Sequence, residues 1–263
     1  MVNTENEKQL VEVNDILIGA KGFRWRVLKY LGRGSFGAVV LAENVDGGQL
    51  VAVKVEDAHQ PLRTLRQEVL VLEAMNSAGA HYCCDLFDTG RKGDICNWIS
   101  MTLVGESLMK LRKKTPKKRF SLLTALYLAA SSLRAIEELH EVGSSYRCNW
   151  QNEVLRSKAG NFRFIHRDIK PANFSIGIAP QQRQLYILDF GMARRYRKEG
   201  GRFRGARDSP GFRGTPKYAS VAALNMEEQS RRDDIYSWFF MVVEFTSGRM
   251  PWNDQQYQVY IRF

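Results

Sequence analysis

Hydrophobic and polar positions alternate at period two along Phe23–Tyr30, which predicts a strand, and the apolar run Ala38–Ala42 returns as a second. Val51–Val55 is apolar throughout except for Lys54, the pattern of a buried strand carrying one lysine. Asp46-Gly47-Gly48 ahead of it reads as a hairpin turn. Cys83–Phe87 and Ile95–Leu103 predict two more strands around the turn Arg91–Asp94, and Ile16–Ile18 is a candidate to dock on the same sheet. Between these strands the period changes: Leu62, Leu65, Val69 and Leu72 recur at spacings of three and four, predicting a helix that opens near Pro61. Beyond Val104-Gly105-Glu106, a natural connector, the pattern is mainly helical. Leu108–Leu111 starts it. Ser121–His140 follows, with Ser121 as N-cap, Gly143 as stop, and Leu122, Leu126, Ala129, Leu133, Ile136 and Leu139 as its predicted buried face. Ser230 is placed to cap a helix reaching Gly248, whose apolar residues surround the axis and predict a buried spine. The expected class is α+β with two lobes: a lead-in over 1–22, a small antiparallel-sheet lobe with one helix over 23–104, and a larger helical lobe over 105–263.

Composition narrows the function classes. The chain has 263 residues, 44% of them apolar, and its densest apolar run, Trp238–Val243, is far short of the roughly 18 residues of a membrane span. The polar start, Met1–Lys8, has no signal-peptide core, so a cytoplasmic or nuclear location is expected. The four cysteines show no zinc spacing and are expected as reduced thiols. The net charge is +11, concentrated in Lys110–Arg119 and in Arg194–Arg207. Such fields favour acidic or phosphorylated partners and attract nucleic acid only non-specifically, since no base-reading module accompanies them. For Lys110–Arg119 a solvated loop explains the charges equally well.

The candidate chemistry lies in four places. Leu31-Gly32-Arg33-Gly34-Ser35-Phe36-Gly37 joins two strands, a glycine turn whose backbone N–H groups can approach phosphate oxygens. Lys54 needs an anion partner if buried, and Glu68 or Glu73 of the following helix can reach it; an edge-strand lysine with its ammonium in water is the plainer alternative. His166-Arg167-Asp168-Ile169-Lys170-Pro171-Ala172-Asn173 is followed, sixteen residues after Asn173, by Asp189-Phe190-Gly191 at the exit of the apolar-rich strand Gln184–Leu188. These Asp and Asn side chains supply the oxygens that a substrate hydroxyl and Mg²⁺ ions require. Asp234, near the start of the last helix, is read as accepting hydrogen bonds from the catalytic-loop backbone, with a simple helix-dipole partner as the alternative.

These motifs form the protein-kinase signature. The chain resembles the casein kinase I group, and within it the tau-tubulin kinase branch, through Leu65-Arg66-Gln67-Glu68-Val69, Lys170-Pro171-Ala172-Asn173-Phe174, Gly214-Thr215-Pro216-Lys217-Tyr218-Ala219-Ser220 and Ser230-Arg231-Arg232-Asp233-Asp234. The likeness implies a two-lobed kinase fold using ATP and Mg²⁺ to phosphorylate serine or threonine of protein substrates, as a monomer. It implies Asp168 as catalytic base and Lys170 as neutraliser of transferring charge. Gly32, Gly34, Gly37, Val39, Lys54, Glu68, Met101 and Leu103 are implied as ATP-binding residues, Glu68 now being preferred to Glu73. Asn173 and Asp189 would hold the metal, and Thr215 and Lys217 would face the substrate, with acidic or pre-phosphorylated substrates favoured. Backbone groups of Thr102–Gly105 are candidates for the adenine edge. Two departures stand out. Ser144–Arg163 is a twenty-residue insertion where the family passes almost directly to the catalytic loop, either a genuine loop or translated intervening sequence. The chain also stops at Phe263, where the family's large lobe continues, so either this is a fragment or the lobe is incomplete. These departures keep a second function open: a catalytically silent, nucleotide-binding scaffold of kinase fold.

Overall fold

The structure is a computed structural model that describes residues 9–34, 37–142, 163–198 and 202–252. The Ser35–Phe36 tip of the glycine turn, the Gly143 stop and 144–162 of the insertion lie outside the described residues. Two compact units are present. One comprises residues up to Val69 together with Asp85–Leu103; the other comprises Leu70–Cys84 together with residues from Val104 onward. An antiparallel sheet in the first and helices in the second form the α+β, two-lobed arrangement.

In the first unit the strands are β1 (Ile16–Ile18), β2 (Arg24–Gly34), β3 (Gly37–Asn44), β4 (Leu50–Asp57), β5 (Leu86–Lys92) and β6 (Cys96–Thr102); helix α1 (Thr64–Ser77) starts in this unit, and its residues from Leu70 on belong to the second. The strands form one antiparallel sheet in the order β1-β2-β3-β4-β6-β5. Because side chains alternate across a strand, Val51, Val53 and Val55 share one face of β4. They join Trp25, Val27, Val40, Ala42, Cys96 and Trp98 in a buried cluster. Each such side chain contributes roughly 1.5–3 kcal/mol on burial. Leu10, Val11 and Leu17 complete this cluster, so the segment ahead of β2 contributes three side chains to the core while Val13, Ile16 and Ile18 stay exposed. The opposite face of β4 carries Ala52, Lys54 and Glu56. The Glu56 carboxylate accepts from Thr64 Oγ1 (2.5 Å) and from the backbone N–H of Leu65 (3.1 Å). The Leu65 N–H is a first-turn donor with no partner within α1, and the Thr64 hydroxyl joins it on the same carboxylate, so Glu56 holds the start of the helix at Thr64, three residues after Pro61.

One predicted strand is displaced. Cys83 and Cys84 are buried cysteines that precede the sheet, and the strand runs instead from Leu86 to Lys92. Asn76 Nδ2 donates to the Cys84 carbonyl (3.0 Å), which takes that group away from the ladder.

The second unit contains α2 (Leu108–Lys114), α3 (Leu122–Glu141), the short strands β7 (Phe164–Ile165), β8 (Phe174–Ile176), β9 (Leu185–Ile187) and β10 (Arg194–Arg195), then α4 (Val221–Leu224) and α5 (Arg231–Ser247). Strand β8 pairs with β9 and β7 with β10, both antiparallel. Ser121 Oγ accepts from the Thr124 N–H, capping α3 as its sequence predicts. The buried face differs from the predicted one. Ala129, Ile136 and Leu139 are buried, whereas Leu122, Leu126 and Leu133 are exposed; small and polar residues, Ala125, Ser131, Ser132, Ala135, Glu138 and His140, take their place. Two of the polar ones are bonded in place: Ser132 Oγ donates to the Leu128 carbonyl (2.7 Å), and Glu138 accepts from the His81 and Tyr82 N–H groups (2.8 and 3.0 Å).

Helix α5 is likewise not buried on all sides. Ile235, Tyr236 and Phe239 are exposed, while Met241 and Phe245 are buried beside three carboxylates, Asp233, Asp234 and Glu244. Gly248 ends it in the left-handed region at φ 83°, where an L side chain is disfavoured. Glu244, fully buried, accepts from Arg112 Nη2 (3.0 Å), Lys217 Nζ (2.5 Å) and the Tyr218 hydroxyl (2.7 Å). Glu244→Ala would leave a buried guanidinium and a hydroxyl without their acceptor. The expected loss is about 3–5 kcal/mol, read by urea denaturation, with a smaller loss for Glu244→Gln, which keeps an acceptor oxygen.

Candidate active site

The site of the second unit is built from the first turn of α5. Ser230 N–H donates to Asp233 Oδ2 (2.7 Å) and Ser220 Oγ donates to Asp233 Oδ1 (2.7 Å), which fixes the helix start. The next residue, Asp234, is buried and points its carboxylate at the loop that follows β7. Its Oδ2 accepts from the His166 N–H (2.7 Å) and its Oδ1 from the Arg167 N–H (2.8 Å). His140 Nε2 lies 2.8 Å from Oδ2 and must be the donor, since an ionised carboxylate only accepts. Burial pushes the Asp234 carboxyl up, but the His140 hydrogen bond and charge, with His166, outweigh it and hold the group below 3.8. The backbone-acceptor role expected of Asp234 is therefore present.

That anchor lets the loop adopt an unfavourable path. Arg167 has φ 68°, a left-handed conformation rare for a non-glycine residue, and its Nε donates to the Met192 carbonyl (2.7 Å). His166 Nε2 faces the Leu188 carbonyl (3.1 Å), so that nitrogen carries the proton and Nδ1 accepts from the Asp168 N–H (3.2 Å). Asp168 is thus presented with both carboxylate oxygens engaged. Oδ1 accepts from Thr215 Oγ1 (2.7 Å), and Oδ2 lies 2.7 Å from Lys170 Nζ and 3.2 Å from Asn173 Nδ2. Lys170 Nζ also donates to Thr215 Oγ1 (2.9 Å), closing a ring of carboxylate, ammonium and hydroxyl. Gly214 makes this approach feasible. It sits at φ 119°, and a Cβ there would come within 2.6 Å of the Arg167 carbonyl oxygen.

Asn173 Nδ2 is spent on the Asp168 carbonyl (2.8 Å), so of its carboxamide atoms Oδ1 is the one able to take a metal ion. The Leu188 N–H donates to the Asn173 carbonyl (2.8 Å), drawing Asp189, at φ 63°, toward the same loop. Among the described residues no three His, Cys, Asp or Glu side chains gather into a closed metal cage. Two oxygen donors without a cage fit Mg²⁺, which keeps several waters and phosphate oxygens in its own shell.

In the first unit Lys54 Nζ pairs with Glu68 Oε2 at 2.5 Å; this selects Glu68 over Glu73 and sets aside the solvent-facing alternative for Lys54. Gly32, Val39 and Lys54 stand in register across β2, β3 and β4. Gly34 ends β2 and Gly37 opens β3; a Cβ on Gly37 would lie 1.9 Å from the Val55 carbonyl oxygen. Met101 is buried on β6, and Leu103 follows that strand. The Thr102 N–H is already bonded to the Asp85 carbonyl, and the Gly105 N–H to the Ile176 carbonyl. Those two N–H groups are therefore not available as donors to an adenine edge, whereas the carbonyls of this segment are not affected by these bonds.

Lys217 is placed differently from the substrate-facing role expected of it, because its ammonium is engaged by the buried Glu244. Arginines gather elsewhere. Glu228 accepts from Arg194 Nε (3.1 Å) and Arg207 Nε (2.8 Å). Burial, then the neighbouring charges of Arg207, Arg194 and Arg213, lower Arg167 to about 10. Glu228, Glu244, Arg112 and His140 were not singled out from the sequence. Glu244 had a usable signal, a lone acid within the apolar run of α5, the mirror image of Lys54 in β4.

Compared with known families, residues 25–262 match the protein kinase domain, and the chain belongs to that family. Members use ATP with Mg²⁺. A Dictyostelium discoideum protein named "Probable serine/threonine-protein kinase" is 36% identical over 230 residues, covering 87% of this chain and 42% of the relative. The serine/threonine-protein kinase spe-6 of Caenorhabditis elegans is 32% identical over 230 residues, covering 87% and 55%. A further C. elegans protein, named as a candidate casein kinase I, is 30% identical over 237 residues, covering 87% and 62%. The chain spans about half the length of the first two of these relatives. No helix among the described residues is long and apolar enough to cross a membrane.

The Asp234 clamp carries a pH signature. Its folded pKa lies below the unfolded value near 3.8, so the unfolded chain binds the extra proton and stability rises with pH through this window. The melting-temperature gap between the parent and Asp234→Asn should be constant from neutral pH to about pH 5 and should narrow below about pH 4.

Proposed function

We propose that this chain is a serine/threonine protein kinase of the casein kinase I group, nearest the tau-tubulin branch. The observation that carries the proposal is the ring formed by Asp168, Lys170 and Thr215, with Asn173 bonded to the same carboxylate. It presents a carboxylate oxygen beside a bound hydroxyl and an ammonium, the arrangement needed to receive a serine or threonine proton while negative charge moves nearby. Bound ATP supplies the γ-phosphoryl group, and Mg²⁺ neutralises charge on its phosphates. Asn173 Oδ1 and Asp189 would hold the metal, and Lys54, fixed by Glu68, would bind phosphate oxygens. Lys170, two residues after Asp168, and Thr215 favour serine or threonine over tyrosine. The candidate casein kinase I among the relatives supports the group assignment.

Asp168→Asn and Asp189→Asn should each reduce phosphate transfer from ATP to casein by at least a hundredfold, the first with nucleotide-induced thermal shift retained. Undiminished transfer in either variant would remove the assignment. A nucleotide-dependent shift with no transfer by the parent chain would support the silent scaffold instead.

The reading extends to acidic or already phosphorylated substrates. Arg167, Arg194, Arg207 and Arg213 influence one another electrostatically, and Glu228 is the acid that opposes them in that group. This cluster, rather than Lys217, is the stronger candidate to read a substrate phosphate. Peptides differing only by a phosphoserine near the target should differ several-fold in kcat/KM at low salt. Arg213→Glu should shrink that difference, as should 0.5 M NaCl. Equal rates for the two peptides at low salt would exclude the preference.

A further inference from the structure

Away from these residues, the first unit contains a cavity of about 490 Å³ against α1. Register places Thr89 opposite Ile99, Arg91 opposite Asn97 and Asn97 opposite Glu56, so these side chains share the sheet face that carries Lys54. Leu65, Arg66 and Val69 of α1 form the other wall, with Arg63 just ahead of the helix. The volume falls within the roughly 300–1,000 Å³ of pockets that engulf a drug-sized molecule, far above the share of about 30 Å³ that a single water takes.

The charges of this cavity are unbalanced. Among the described residues that line it Glu56 is the one acid, and that carboxylate is already bonded to Thr64 and Leu65. Arg91 is paired with Asp94. Arg63 and Arg66 are exposed and have no ion-pair or hydrogen-bond partner among the described residues, and the same holds for the Asn97 carboxamide. Behind them Leu65 and Ile99 supply apolar surface.

We propose that this cavity is a docking site for an acidic peptide segment of a protein partner. A carboxylate or phosphate of the segment pairs with Arg63 and Arg66, an apolar side chain enters against Leu65, Val69 and Ile99, and Asn97 bonds the segment's backbone. Charge complementarity selects this occupant: two unpaired guanidiniums flank apolar walls on a chain of net charge +11. Glu68 lies between Arg66 and Val69 on the same helix, so an occupant leans on the element that carries the Lys54 ion pair.

The test is fluorescence anisotropy with the whole chain and no nucleotide, so it succeeds or fails independently of phosphoryl transfer. The probe is fluorescein-labelled Ser-Asp-Glu-Phe-Glu-Glu-Asp-Ser, with a control in which Phe is replaced by Ser. Saturable one-to-one binding is expected, weakened at least fivefold by losing the Phe and at least tenfold by Arg63→Glu or Arg66→Glu. Both arginines are exposed, and unchanged melting curves would show that the variants fold. Lys110→Glu, an equal charge change on the other unit, should alter affinity less than twofold. Absence of saturable binding, equal loss with Lys110→Glu, equal affinity of the Phe-less peptide, or displacement by an equimolar uridine oligonucleotide would each overturn the proposal.

Discussion

The carboxylate of Asp234 is the group on which the arrangement of the His166–Asp168 loop rests. A buried carboxylate is costly unless several donors reach it. Here the donors are His140 from α3 and the two consecutive backbone N–H groups of His166 and Arg167. One charge thereby links a helix, a helix start and a loop. The loop can then hold Arg167 at positive φ, a conformation costing on the order of 1–3 kcal/mol. Asp168 follows from that geometry: its own N–H is bonded to His166, and its side chain meets Lys170 and Thr215.

A second buried carboxylate organises the other end of α5. Glu244 collects Arg112, Lys217 and Tyr218. Lys217 and Tyr218 belong to the segment that also presents Thr215 to Asp168, so the charge at Lys217 positions that segment. A lysine that looks free for substrate in the sequence is thus committed to the fold. The arginines around Glu228 remain as the cationic surface, with more positive charge than that acid neutralises.

Much of this was legible in the sequence, for physical reasons that also mark its limits. Lys54 within an apolar strand demanded an acid, and Glu68 supplies it. Asp234 at a capped helix start was expected to take loop N–H groups, and it does. Ser121 and Gly248 mark helix ends through capping chemistry that is local, so neighbouring residues suffice to reveal it. The misreadings concern partners distant in sequence. Leu122, Leu126 and Leu133 matched a helical stripe, yet the buried side of α3 is the one where Ser132, Glu138 and His140 find acceptors and donors. Cys83 and Cys84 matched a strand until Asn76 took the Cys84 carbonyl. The start of α1 depended on Glu56, eight residues before Thr64, and no local signal at Pro61 reports that.

Amide hydrogen exchange at His166 and Arg167 tests the central claim most directly, because those two N–H groups are the ones Asp234 holds. In the folded parent chain at neutral pH both should exchange only through global unfolding, among the slowest amides of the second unit, and both should become fast in Asp234→Asn while the amides of mid-α3 stay protected. Exchange of the two parent amides at the rates of exposed loop residues would contradict the account.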